Sequence, residues 1–269
     1  MKTKHRVSIA GLVILAIIIV AVLVLVAKHR AEAPVTTAGS SAASATTAVP
    51  ASLVSVPATD VSVVHDSYLA SVSGSYPQFS QAGADFNKKI SDAVNGDVAE
   101  FTKDASADYQ AHLAMDGDSF KKQFANGGYY YLDIKYSVVQ SNANYVSVII
   151  REEGFTGGAH PYHNLFTFNY DVKNQREMAL AALFPNDPNY LKTVSDDARI
   201  SLTSTLATAA DESSLDDNMK GMLDDGTDPA TPDNFNAFTF TDGSITVYFG
   251  EYQVAPYVYG EQQVTIGRQ

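Results

Sequence analysis

The sequence predicts an α+β domain, with antiparallel sheets packed against two main helices, that follows one transmembrane helix. Three observations lead to this prediction. Residues 7–27 are an uncharged apolar run, several segments rich in Tyr, Phe, Val and Ile are bounded by turn residues, and two segments repeat apolar residues every three or four positions. The order strand, helix, strand cluster, helix, strand cluster is typical of α+β domains.

The apolar run at residues 7–27 has the length of a membrane span. At about 1.5 Å per residue, a helix of this length reaches roughly 30 Å, the thickness of a bilayer core. A cleaved signal peptide is the alternative, although its apolar region is usually about 7–15 residues long. Three basic residues precede the run and two follow it, which favours a cytoplasmic tail at residues 1–6. We therefore predict a single-pass membrane protein whose C-terminal domain is periplasmic or extracellular.

Residues 28–59 are predicted to form a disordered tether between the membrane and the folded domain. They consist largely of Ala, Ser, Thr, Val and Pro. Such a composition cannot bury enough apolar surface to fold. The tether is expected to hold the domain away from the membrane.

The charge balance and the lack of cysteine restrict the possible functions. The chain carries 18 Lys and Arg against 30 Asp and Glu, for a net charge of −12. This acidity repels phosphates, so no nucleic acid partner is predicted, whereas basic proteins or divalent cations would be attracted. Acidity that only keeps an exported domain soluble is the alternative. Without cysteine, the fold has neither disulfides nor thiolate chemistry.

Residues 60–125 are predicted to form an N-terminal strand and helix subdomain. The alternating pattern of residues 61–72 is typical of a strand, and residues 74–77 are typical of the turn that ends it. From about residue 81 to 112, apolar residues recur at spacings of four and three, which predicts an amphipathic helix. Gly96 is a point at which this helix could bend or divide.

Residues 126–269 are predicted to form a C-terminal α+β subdomain. An antiparallel meander of three strands precedes a second helix at about 188–209, for which Asp187 is the predicted cap. Residues 211–234 are expected to form a short helix and a loop, and the Asp-Gly pair at 242–243 predicts a hairpin. The predicted strands are 129–140, 145–155, 162–172, 235–240, 244–249, 254–259 and 263–266.

Several ordered motifs resemble the RsiV-type extracytoplasmic domains of unknown function. This family includes the lysozyme-binding anti-sigma factor RsiV and the non-catalytic part of the peptidoglycan deacetylase PdaC. The resemblance covers nearly all of residues 60–269, and it implies an extracytoplasmic α+β domain that binds a protein such as lysozyme or lies near cell-wall polymer. Its motifs are YPQF at 76–79, FNKKI at 86–90, FTGGAHP at 155–161, FNYDVKN at 168–174, LF at 183–184 and YQVAPYVYG at 252–260.

Two departures limit what the resemblance implies about activity. An anti-sigma factor of this type holds its sigma factor with a cytosolic segment, and the predicted tail is residues 1–6. The deacetylase carries a separate catalytic domain, which has no counterpart after Gln269. We therefore expect neither sigma-factor binding nor deacetylation, and no cofactor is predicted.

His160 and His163 are the best candidates for reactive groups. Together with Glu152 or Glu153 they would provide a usable set of zinc ligands. A spacing of three residues in a strand, however, turns two side chains to opposite faces, so no metal site is predicted. The sequence also has no GxSxG, HExxH or phosphate-binding glycine loop. A cell-wall glycan hydrolase or deacetylase-like enzyme that uses His160 and one of these glutamates is an alternative function.

Tyrosines are the main candidates for a binding surface. Three are consecutive at 129–131, so at least one must face away from the core of a strand, and three more lie within 252–259. Exposed tyrosine suits binding to a protein or stacking on sugar rings, while packing across strands is the alternative. The predicted binding residues are Tyr129, Tyr130, Tyr131, His160, Tyr252, Tyr257 and Tyr259.

The predicted function is that of a membrane-anchored, non-enzymatic binding domain outside the cytoplasm. Lysozyme or another basic envelope protein is the first predicted partner, and cell-wall glycan is the second. A glycan hydrolase and a structural envelope protein are the alternatives from other functional classes. The sequence leaves open the identity of the ligand, N-terminal cleavage and the oligomeric state.

Overall fold

The structure is a computed structural model, and it describes residues 56–66, 69–122 and 130–268. In these residues the chain forms helices and two β-sheets, which confirms the predicted α+β class. The predicted transmembrane helix at residues 7–27 lies outside the described residues, as does most of the predicted tether at residues 28–59. None of the helices that the structure describes is both long and apolar enough to cross a bilayer.

The larger sheet has six strands, each hydrogen-bonded to the next along the chain. They are β1 (Thr59–Asp66), β2 (Ala70–Gln78), β3 (Tyr130–Ser141), β4 (Tyr145–Phe155), β5 (Tyr162–Asp171) and β6 (Arg176–Glu177). β3, β4 and β5 form the antiparallel meander that the sequence predicts. β2 and β3, however, are parallel, so the prediction of purely antiparallel sheets is wrong at this pair.

The predicted turn at residues 74–77 is wrong, because these residues lie inside β2. Residues 59–78 form two paired strands where the sequence predicts one strand followed by a turn. Gly74 has a φ of 139°, and a Cβ there would lie 2.0 Å from the carbonyl oxygen of Ile134. Glycine is therefore required at this position by close contact between strands.

The long helix α1 (Ala84–Asp116) packs its apolar face against the larger sheet. It is continuous through Gly96, and a short helix, α2 (Asp118–Lys121), follows it. Because α1 carries the chain from β2 back to the start of β3, these two strands run in the same direction. The buried residues of α1 are Phe86, Ile90, Val94, Phe101, Ala105 and Tyr109.

The C-terminal part contains the helices α3 (Tyr190–Ala209) and α4 (Asp217–Gly226). α3 begins later than predicted, because Asp187 stabilises the turn before the helix and is not its N-cap. Its carboxylate accepts hydrogen bonds from the backbone N–H of Asn189, at 2.8 Å, and from the hydroxyl of Thr193, at 2.7 Å. The N-cap position belongs to Asn189.

The smaller sheet is an antiparallel sheet of three strands. They are β7 (Phe238–Phe240), β8 (Ser244–Phe249) and β9 (Gln262–Gly267). The predicted hairpin at 242–243 is confirmed, but the predicted strand at 254–259 is wrong. Pro256 has no N–H group for a strand ladder, and it starts a 3₁₀ turn over Tyr257–Tyr259.

A buried polar pair joins the two sheets. Ser147 on β4 is 0% exposed and Asn169 on β5 is 6% exposed, and the serine hydroxyl donates to the asparagine Oδ1 at 2.7 Å. The backbone of β7 completes the contact. Asn169 donates through Nδ2 to the carbonyl of Phe238 at 2.7 Å, and the N–H of Phe240 donates to Ser147 Oγ at 2.9 Å. The buried polar groups of Ser147 and Asn169 at the junction of the two sheets are therefore hydrogen-bonded, although buried apolar residues lie in both sheets.

We predict that Asn169→Ala lowers the free energy of unfolding by about 1–3 kcal/mol, because it leaves the Phe238 carbonyl buried without its donor. Denaturant titration of the purified protein measures this loss. Asn186→Ala, at an exposed position before α3, is the matched control and should change stability by less than about 0.5 kcal/mol. Equal effects of the two substitutions would contradict the structural role of Asn169.

Candidate functional site

The open face of the larger sheet, opposite α1, carries a set of charged side chains. Strand alternation and register place Asp133 on β3 beside Glu153 on β4, and Glu153 beside His163 on β5. The segment between β8 and β9 adds Glu251 and Glu261 to the same region. Together these residues border a cavity of about 450 Å³, which we call the acidic groove.

Three aromatic side chains at one end of the groove form what we call the aromatic cluster: His160, Tyr252 and Tyr257. The rings of His160 and Tyr257 are stacked, with 3.8 Å between their centroids. Tyr252 lies with its ring centroid 5.8 Å from that of Tyr257. The hydroxyl of Tyr257 donates to the Pro161 carbonyl at 3.0 Å, which fixes the loop after β8 against the start of β5.

Ion pairs neutralise the basic side chains of the groove. Arg151 donates two hydrogen bonds to the carboxylate of Glu261, at 2.8 and 2.9 Å, and Lys135 pairs with Asp133. The Glu261 hydrogen bond is the main cause of the raised pKa of Arg151. The carboxylates of the groove therefore outnumber the cations that remain free to meet a ligand.

A second network links the groove to the aromatic cluster. His163 Nδ1 lies 2.7 Å from Glu251 Oε1, and its ring centroid is 6.4 Å from that of Tyr257. The Tyr131 hydroxyl donates to Glu153 Oε1 at 2.9 Å. Burial, followed by this hydrogen bond, raises the pKa of Tyr131, so its hydroxyl stays protonated at neutral pH.

The structure brings four of the predicted binding residues to this region: Tyr131, His160, Tyr252 and Tyr257. Two others lie elsewhere. Tyr130 is fully buried and donates to Asp108 Oδ2, and Tyr259 packs against the core of the C-terminal part. Tyr129 lies outside the described residues. The prediction that one of the consecutive tyrosines faces away from the core is confirmed by Tyr131.

The expectation that His160 and His163 point to opposite faces is wrong. β5 begins at Tyr162, so strand alternation does not extend back to His160, and Tyr257 contacts both imidazole rings. Among the described side chains, no three His, Asp or Glu groups are close enough together to hold a metal ion.

Sequence reasoning missed most of the charged residues of the groove. Alternation along β3 and β4 groups their charged side chains by face, but it does not reveal which face α1 covers. Glu251 and Glu261 flank a segment that was expected to be a strand and is a looped turn. The missed residues are Asp133, Lys135, Arg151, Glu251 and Glu261.

Glu152, a neighbour of Glu153 in sequence, also contributes to the wall of the groove, but its carboxyl faces that of Asp97 on α1. It is only 1% exposed, and neither carboxylate oxygen has a hydrogen-bond donor among the described residues. Burial, together with the facing carboxyl of Asp97, raises its pKa to about 8. Glu152 is therefore protonated at neutral pH and can donate to Asp97. The structure places it apart from His160, its predicted partner in a glycan hydrolase.

We predict that stability falls as the pH rises from about 4.5 to about 8, because the folded state holds the Glu152 proton more tightly than the unfolded chain does. Glu152→Gln should remove this loss and stabilise the protein at about pH 9 by an amount on the order of a few kcal/mol. Denaturant titrations at about pH 5 and pH 9 measure the difference. Glu153→Gln, on the exposed face, should retain the wild-type pH dependence. The same loss of stability in Glu152→Gln would refute the assignment.

Two family models match separate parts of the chain. Residues 63–163 match the model described as Deacetylase PdaC, and residues 181–269 match a protein of unknown function, DUF3298. The aromatic cluster draws on both matched segments: His160 comes from the first, and Tyr252 and Tyr257 come from the second.

Known proteins similar to this chain include a peptidoglycan deacetylase. The chain is 32% identical over 135 residues to the peptidoglycan-N-acetylmuramic acid deacetylase PdaC of Bacillus subtilis. The aligned segment covers 50% of this chain and 27% of that protein. A DUF3298 family structure from Bacteroides fragilis is 18% identical with a TM-score of 0.49, and one from Pseudomonas aeruginosa is 14% identical with a TM-score of 0.43. Each structural match covers 78% of this chain and 90% of the other.

Proposed function

We propose that this protein is a non-catalytic binding domain of the cell envelope that engages a basic protein. The matches of its two segments to the PdaC and DUF3298 family models support this proposal. In this proposal the domain lies outside the cytoplasm and is anchored through residues 7–27. The observation that carries it is the exposed network of aromatic rings and carboxylates, to which both matched segments contribute.

The charges of the acidic groove suit a cationic partner. Arg151 and Lys135 are already paired within the protein. Within the described residues, by contrast, the polar contacts of the Glu153 carboxylate are with the hydroxyl of Tyr131 and, at 4.0 Å, with His163. An arginine or lysine side chain from a partner can pair with Glu153 or Glu251 and lie over the face of Tyr257. This arrangement gives a basic side chain both a counter-charge and an aromatic surface.

The loop after β8 presents apolar surface beside these charges. Tyr252 is 57% exposed and Val258 is 82% exposed. Tyr252 also has a φ of 64°, a left-handed conformation that is uncommon for a residue other than glycine. Exposed aromatic residues on a constrained loop are typical anchors of protein interfaces, because little side-chain freedom is lost on binding.

Cell-wall glycan is the second candidate partner. It is supported by the name of the similar Bacillus subtilis enzyme and by the stacked rings of His160 and Tyr257, which offer a flat surface to a sugar ring. The two partners differ in their electrostatics. Binding of a basic protein weakens with salt, whereas stacking on a neutral sugar is largely insensitive to it.

We predict that the protein binds lysozyme at low ionic strength and that the affinity falls as salt is added, because carboxylates supply much of the attraction. Glu251→Gln should weaken binding by about three- to tenfold in surface plasmon resonance. Asp196→Asn, which removes the same charge on α3, should bind like the wild type. Lack of lysozyme binding at low salt, together with salt-insensitive binding to peptidoglycan, would instead support cell-wall glycan as the partner.

We predict that Tyr252→Asn weakens lysozyme binding by about tenfold while leaving stability nearly unchanged. Asparagine tolerates the left-handed backbone, and the tyrosine ring that it replaces is more than half exposed. Binding is measured as above and stability by denaturant titration. Unchanged affinity for lysozyme would exclude Tyr252 from the interface.

A further inference from the structure

The strand β5 directs its backbone groups alternately to its two edges. Val172, which directly follows β5, donates its N–H to the carbonyl of Asn144 at 2.8 Å, on the side of β4. The carbonyl of Asn169 accepts from the N–H of Met178 at 2.9 Å, on the side of β6. The register between β4 and β5 is uniform along the whole strand. The even-numbered residues of β5 therefore face β4, and the odd-numbered residues face the opposite edge.

That opposite edge is open between two contacts. At one end the hydroxyl of Tyr257 donates to the carbonyl of Pro161 at 3.0 Å, and at the other end β6 pairs from Asn169 onward. Within the part of the chain that the structure describes, the backbone groups between these contacts have no partner on this edge; they belong to His163, Leu165 and Thr167. We call residues 163–167 the β5 edge. An open edge of this kind is a template for pairing with another chain.

Carboxylates lie on both sides of the β5 edge. On the open face of the larger sheet, His163 Nδ1 lies 2.7 Å from Glu251 Oε1. On the face that packs against α1, Tyr162 and Asn164 border a cavity of about 240 Å³. The acidic residues of α1 that border the same cavity are Asp97, Glu100 and Asp104. Because successive side chains of a strand point to opposite faces, a strand added here would meet carboxylates on both of its faces.

An apolar cavity lies at the other end of the β5 edge. Thr167 and Leu180 both border this cavity, which has a volume of about 310 Å³. Its walls include the buried rings of Phe86 and Phe235. The cavity can take one apolar side chain of an added strand. An apolar residue at this end and basic residues at the end near His163 would together fix the register of that strand.

We propose that the β5 edge binds an extended segment of a basic partner protein as an additional antiparallel strand. Its basic residues lie opposite His163 and Asn164, and its apolar residue lies opposite Thr167. The antiparallel direction follows that of β4 and β6, the two strands already paired with β5. The inference rests on the proposed function for the basic character of the partner, and it adds the backbone pairing by which the partner is held.

Calorimetric titration with a probe peptide, acetyl-Leu-Thr-Val-Lys-Lys-amide, tests the proposal at low salt. In the antiparallel register the leucine lies opposite Thr167 and the valine lies opposite Leu165, so the valine N–H points to β5. N-methylation of the valine should weaken binding about tenfold or more. N-methylation of the threonine, whose N–H points away from β5, should retain the affinity of the parent peptide. Equal affinity of the two methylated peptides would overturn the proposal, as would the lack of saturable binding of the parent.

Variants of the protein test the same pairing from the other side. Leu165→Pro removes an N–H from the β5 edge without removing a hydrogen bond to β4, and it should weaken peptide binding about tenfold. Denaturant titration shows whether this variant is folded. Glu100→Gln, at an exposed position of α1, leaves the backbone intact and should weaken binding about threefold. Asp92→Asn removes the same charge from the same helix outside the cavity and should bind like the wild type. Wild-type affinity in both Leu165→Pro and Glu100→Gln would overturn the proposal.

Lysozyme binding, measured in parallel, separates this inference from the proposed function. Undiminished lysozyme binding by folded Leu165→Pro would leave the basic partner in place and overturn the strand pairing. Peptide binding by a wild-type protein that does not bind lysozyme would support the β5 edge and count against lysozyme as the partner. A dimer of the free protein in analytical ultracentrifugation that Leu165→Pro dissociates would assign the edge to a second copy of the chain and overturn the proposal.

Discussion

The buried contact between Ser147 and Asn169 is the interaction on which the rest of the structure depends. The short strand β7 (Phe238–Phe240) pairs with β8 along one edge. The N–H and C=O groups on its other edge would lack hydrogen-bond partners if that edge lay against an apolar surface. The two side chains supply a donor and an acceptor at that place, and they do so from adjacent strands of the larger sheet. The loop that carries Tyr252 and Tyr257 of the aromatic cluster follows β8, the hydrogen-bonded neighbour of β7. The position of that loop over β5 therefore depends on the hydrogen bonds that Ser147 and Asn169 make with β7.

β4 gives two neighbouring glutamates opposite environments. Alternation turns Glu152 toward α1 and Glu153 toward the open face, so the thickness of the sheet separates their carboxyl groups. On the first face burial and the nearby carboxyl of Asp97 raise the pKa of Glu152. On the second face, Glu153 remains accessible and accepts a hydrogen bond from Tyr131. One strand thus holds two neighbouring carboxyl groups in different environments, one buried and one exposed.

The sequence predicts the elements whose patterns are long and regular, such as α1 and the strands at 145–155 and 244–249. The sequence-based prediction fails at 74–77, where Gly74 allows close contact between two strands and does not mark a turn. It also fails at 254–259, where Pro256 begins a 3₁₀ turn in a loop that is held by contacts distant in sequence. The candidate site divides in the same way. Tyrosine and histidine are conspicuous residue types, so several of them could be identified in advance. Their charged neighbours could not, because His163 meets Glu251 across 88 residues of sequence and Arg151 meets Glu261 across 110.

The pair between Arg151 and Glu261 links the two matched family segments on the open face. Each guanidinium contact is made within the protein, so Arg151 holds the C-terminal segment in place and is not available to a ligand. Together with the pairing of Lys135 and Asp133, this leaves more carboxylates than unpaired cations in the lining of the groove. It also fixes the aromatic cluster before any partner arrives, because His160 belongs to one segment and Tyr257 to the other. A surface that is ordered in advance loses little entropy on binding, so a few aromatic and charged contacts can support a specific interaction.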